Sequence, residues 1–95
     1  MQLLCFMQKK TKNQINMWQP LQNANQLEEN SRIRQVIHDG DFQHESVHLV
    51  ERIGDFWFTV RYMEQNGQEL LEDNRTVTPY RTQGIMHYGF EIWND

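Results

Sequence analysis

Ninety-five residues, with nine Lys and Arg against thirteen Asp and Glu, leave room for one folded core and no second one. The acidic balance disfavours direct nucleic-acid binding, which calls for a basic face. The single cysteine excludes an internal disulfide and fits a reducing compartment, and no apolar run approaches a membrane span, so the expected location is the cytoplasm.

In chain order, Leu3 to Gln8 is short, apolar and β-like, and it is expected to form a first strand with Cys5 buried in it. The run is too short for a signal peptide and meets Lys9-Lys10 rather than a small-residue cleavage site. Residues 9–24, rich in Gln and Asn, read as a polar loop, and Pro20 pushes Gln19 out of the α region. From about Asn23 to His38 the spacing predicts a helix, with Leu27, Ile33, Val36 and Ile37 approximating one face. Glu28 and Arg32 would add an i,i+4 pair, and Gly40 would end the helix in the left-handed conformation.

The next segment spells His44-Glu45-x-x-His48, the zinc-hydrolase signature. That motif works on a helix, where both histidines bind the metal and the glutamate serves as base. Here the surroundings alternate with period two, so a strand is expected, with Glu45 on the face opposite His44 and His48. Gly54-Asp55 suits a two-residue type II′ turn, which would pair Leu49 with Val60, Val47 with Tyr62 and, on the outer face, His48 with Arg61. Asn66-Gly67 is a type I′ signal and would set Glu64 against Glu69 and Leu71 against Tyr62. Thr76 to Thr78 resumes a strand that Pro79 limits, Arg81 to Gly84 reads as a turn, and Met86, Tyr88, Phe90 and Ile92 mark a final amphipathic strand.

The expected fold is therefore α+β: one domain over residues 1–95, its single helix packed on a curved antiparallel sheet of four to five strands, in the order β-α-β-β-β-β. In outline this resembles cystatin-like folds, and Gly54 with Phe56-Trp57-Phe58 echoes the first cystatin hairpin. The resemblance is architectural only. Where cystatins carry Q-x-V-x-G, this chain has Val50-Glu51-Arg52-Ile53-Gly54 and keeps just the glycine.

No motif names a catalytic residue, a cofactor or a metal site. Ser31 and Ser46 lack a nucleophile-elbow context, and glycine-rich phosphate loops are absent. His38, Asp39, Asp41, His44 and His48 lie within eleven residues but match no standard ligand spacing, and a third zinc ligand would have to come from His87 or Glu91. The leading expectation is a non-catalytic interaction module, a small acidic inhibitor or an immunity- or anti-defence-type protein such as phages and mobile elements encode. It would bind a protein partner through His48, Arg52, Trp57, Arg61 and Met63 on the sheet and an acidic rim of Glu64, Glu69, Glu72 and Asp73. A ligand-binding domain with a cavity lined by Phe58, Val60, Tyr88 and Phe90 is the alternative, and a zinc hydrolase is third. An open sheet edge would allow a homodimer.

Overall fold

The computed structural model describes residues 17–94, and it is all-β. Its strands are β1 (Met17–Pro20), β2 (Arg32–Asp39), β3 (Phe42–Ile53), β4 (Trp57–Gln65), β5 (Gln68–Glu69), β6 (Val77–Arg81) and β7 (Phe90–Asn94). They form one antiparallel sheet in the order β1-β7-β2-β3-β4, with β5 and β6 side by side along the far edge of β4. The sheet curls into a half-barrel. No helix among the described residues is long and apolar enough to cross a membrane. The expected strand at Leu3–Gln8 and the setting of Cys5 lie outside the described residues.

The α+β expectation is corrected, and the cystatin-like outline falls with it: among the described residues there is no α-helix to lie across the sheet. The segment expected to be helical is a 3-10 turn at Ala24–Gln26 followed by β2. Asn23 caps that turn with a reciprocal pair of bonds, its own Oδ1 accepting from Asn25 N–H while Gln26 Oε1 accepts from Asn23 N–H. Asn30, at φ 72°, then redirects the chain. Beyond it Ile33, Val36 and Ile37 are β-branched, and β3 offers eight paired positions along the whole of β2. Gly40 does take the left-handed conformation, at φ 64°, but it opens a two-residue hairpin turn between Asp39 and Phe42.

Asn66 and Gly67, at φ 52° and 83°, form the expected type I′ turn, with Glu64 opposite Glu69 and Gln65 opposite Gln68. β5 stops there. Leu71 is exposed instead of facing Tyr62, whose amide donates to Thr76 O at 2.9 Å. Likewise the last strand begins only at Phe90, because Ile85–Tyr88 forms a 3-10 turn.

The β3–β4 hairpin departs most from its expected register. Its loop spans Gly54 to Trp57, closed by Gly54 N–H donating to Trp57 O at 2.7 Å. Ile53 then pairs with Phe58, Val50 with Val60, Leu49 with Arg61 and His48 with Tyr62. Glu51 and Met63 are the extra residues at two bulges. The slip inverts β3: Val50 and His48 turn inward, while Leu49 and Val47 lie on the outer face, where Val47 is nevertheless buried.

Phe58, Val60, Val50, Ile33, Phe90 and Ile92 meet on the inner side of the sheet, and Leu21, Leu27 and Ile85 from the connecting segments plug the hollow. Tyr80 and Tyr88 pack around Phe90 at 5.1 and 5.9 Å. The cavity expected between Phe58, Val60, Tyr88 and Phe90 is thus a packed core.

β1 ends in Pro20 and β6 carries Pro79 at its middle, and these are the only two prolines of the chain. Bonds from Leu21 N–H to Phe90 O and from Thr82 N–H to Phe56 O fix the alternation along β1 and β6. Pro20 and Pro79 consequently fall where an amide would point away from the sheet, which costs no ladder bond and blunts the edge.

Candidate functional site

β3 is a strand throughout, so the H-E-x-x-H residues divide between two faces. His44 is exposed on the inner side of the projecting hairpin, His48 is fully buried, and Glu45 crosses to the outer face. There Glu45 accepts from Arg34 Nη1 at 2.9 Å while Glu91 accepts from Arg34 Nε at 2.6 Å. The Arg34 guanidinium stacks 4.7 Å from the Trp18 ring, itself edge-on to Trp93. Trp18 therefore covers part of the outer face. Among the described residues no three His, Cys, Asp or Glu side chains gather as a metal cage would require.

His48 was expected on the partner-facing side opposite Arg61, and this is corrected: the bulge at Glu51 reverses the facing of the residues that follow it away from the turn, which brings His48 opposite Tyr62 and into the core. Its ring lies 4.3 Å from the Tyr62 ring and 5.7 Å from Phe90. Nε2 is 2.9 Å from Ser46 Oγ, whereas Nδ1 is buried without a hydrogen-bond partner. Burial pushes the imidazole pKa down to about 4. A serine beside a histidine invites comparison with a nucleophile–base pair, but among the described residues no carboxylate bonds this ring, and burial that lowers its pKa makes it a weak base at neutral pH.

The remaining expected residues fall into two groups at opposite ends of β4. At one end, Trp57 is about half exposed and its ring lies 5.6 Å from the Arg81 guanidinium. Arg52, on the same outer face through its pairing with Thr59, is exposed. Arg61 is tied down: it bonds Glu51 through Nε and donates to Arg75 O at 2.9 Å. At the other end stand Met63, Glu64, Glu69, Glu72 and Asp73, with Glu69 3.8 Å from Arg75 Nη2. Seven strand steps separate Trp57 from Glu64, about 23 Å at the usual rise. The structure does not merge these groups into one patch.

At the Trp57 end lies a groove of about 680 Å³ that single-position reasoning missed. Ile53, Asp55, Phe56 and Trp57 form one wall, while Ala24, Asn25, Arg81, Thr82 and Gln83 form the other. Phe56 is 77% exposed, an unusual setting for an aromatic side chain in so small a chain. The loop carrying it is pinned by Thr82, whose amide donates to Phe56 O and whose hydroxyl donates to Asp55 O, both at 2.9 Å. Arg52, Asp55 and Arg81 make no ion pair among the described residues. The detectable signal was the triplet Phe56-Trp57-Phe58, of which only Phe58 is buried. Comparison of the chain with protein-family models, with curated proteins and with solved structures finds no match to any of them.

Proposed function

We propose that this chain is a non-catalytic interaction module, of the inhibitor or immunity type, that grips a protein partner at the Phe56–Trp57 groove. The observation that carries this reading is the exposure of Phe56 and Trp57 on a loop already fixed by Thr82 and by its own closing bond. Two large apolar rings held open to water lose hydration cost when a partner covers them, and a rigid loop pays little ordering entropy on binding. Arg81 and Arg52 supply guanidinium groups free to meet the partner's carboxylates or carbonyls. The acidic rim at Glu64, Glu69, Glu72 and Asp73 stands apart and acts at longer range, orienting a partner that has a basic flank.

The test is site-specific photo-crosslinking from position 56 in the native host, followed by affinity measurement with the purified partner. A single predominant adduct is expected, and Trp57→Ala is expected to weaken the binary complex at least tenfold. Unchanged affinity for Trp57→Ala and Phe56→Ala would refute this reading.

A further inference from the structure

β2 and β3 run past the rest of the sheet as a bare two-stranded arm. β7 follows β2 only to Gln35, opposite Phe90, and β4 follows β3 only to Ser46, opposite Gln65. Beyond stand the pairs Val36–Glu45, Ile37–His44, His38–Gln43 and Asp39–Phe42. A two-residue turn makes Asp39–Phe42 a hydrogen-bonded pair, so the amides of Val36 and His38 point away from β3. Glu45 confirms the alternation from the other side: its amide accepts no role within the arm but donates to Asn66 Oδ1 at 2.8 Å, and its carbonyl accepts from Asn66 N–H at 2.7 Å. The outward groups of Val36 and His38 have no such partner among the described residues.

This edge is built unlike those of β1 and β6. Pro20 and Pro79 block β1 and β6, whereas Val36-Ile37-His38 offers strand-forming residues with no proline, lysine or bulge. Ile37 is 52% exposed on it and Phe42 beside it is 72% exposed. An isolated two-stranded arm is marginal in water, and this one carries apolar groups that a third strand would cover.

We propose that the third strand is β2 of a second copy: the chain forms a two-fold homodimer through the arm, with Val36 opposite His38 of the partner subunit and Ile37 meeting its own copy on the axis. The free groups dictate the register. Sliding by two residues one way sets Val36 against itself and calls on Arg34, whose outward amide already belongs to the ladder with Glu91. The opposite slide stacks His38 on itself and brings Val36 to Gly40 in the turn. A slide by one reverses the faces. The remaining register makes four N–H···O bonds, buries two isoleucines against each other and opposes no like charges.

Sedimentation equilibrium across a wide concentration range tests this, reading a mass that rises from the 11.6 kDa monomer to twice that value. Val36→Pro removes an amide that bonds nothing among the described residues of the monomer, so it is expected to abolish the dimer while leaving far-UV circular dichroism, and the thermal midpoint of the dilute monomer, unchanged. Ile37→Cys in a Cys5→Ser background is expected to form a disulfide-linked dimer on mild oxidation, because Cβ atoms facing each other in a non-hydrogen-bonded pair lie within bridging distance. A wild-type chain that stays monomeric overturns the proposal. So does a dimer that survives Val36→Pro, or an Ile37→Cys chain that never cross-links, and the cross-link decides the matter if the proline variant does not fold.

Discussion

His48 should make the fold acid-sensitive, and the size of the effect follows from its surroundings. The ring is fully buried among Tyr62, Phe90 and Ile33, and among the described residues Ser46 alone bonds it and no carboxylate reaches it. Its pKa therefore drops from 6.5 to about 4 on folding. Above pH 6.5 the histidine is neutral in both states and contributes no pH dependence. As pH falls below 6.5 the unfolded chain binds a proton that the folded chain refuses, so stability declines until the folded pKa near 4 is reached. At about 1.36 kcal/mol per unit, the full loss is about 3 kcal/mol, a large share of the 5–15 kcal/mol typical of whole domains. Urea unfolding of the wild type and of His48→Phe, at steps from pH 7 to pH 4, measures it. Phenylalanine keeps the ring, removes the unpartnered Nδ1 and leaves the half-buried Ser46 hydroxyl within reach of water. The variant should match or exceed the wild type at pH 7 and lose about 3 kcal/mol less on acidification. Parallel stability–pH curves for the two proteins, or a ring titration near 6.5 by NMR, would refute the reasoning.

Two further outcomes follow from the packing. Ile33→Ala empties a fully buried position between Ile92 and His48 and should cost about 3 kcal/mol in chemical denaturation, since the sheet cannot collapse into the gap. Arg34→Ala removes two partly exposed ion pairs and the contact with Trp18; about 1 kcal/mol is expected at low salt, shrinking at 1 M salt where exposed pairs are screened.

Much of the fold was legible wherever a local rule was strong. Asn66-Gly67 demanded positive φ at two successive residues and received it. Strand character at His44–His48 followed from alternation that no helix would produce, and with it the opposite facing of Glu45. Phe58, Val60, Phe90 and Ile92 reached the core as their period indicated. The helix expected over Asn23–His38 failed because four large apolar residues in sixteen positions fit a loose helical stripe as readily as a strand. Propensity had pointed the other way at Ile33, Val36 and Ile37, and pairing with β3 decided it. The candidate site was half legible: Trp57 was named among the docking residues and Phe56 was not, and their neighbours Arg81 and Thr82 come from the end of β6 and the residue after it, about twenty-five positions along the chain.

What the sequence determined by itself is the set of strands after Gly40, the sharper turns, and the acidic, cysteine-poor character of the surface. What only the tertiary structure decided is which face of β3 is inside. Every side chain on a strand changes face with a one-residue slip, so the bulge at Glu51, just past the four-residue loop at Gly54–Trp57, carried His48 from an expected docking surface into the core. No local signal announces a bulge. It is set by the packing of Val50 against Val60 and His48 against Tyr62, which exists only once the sheet has formed.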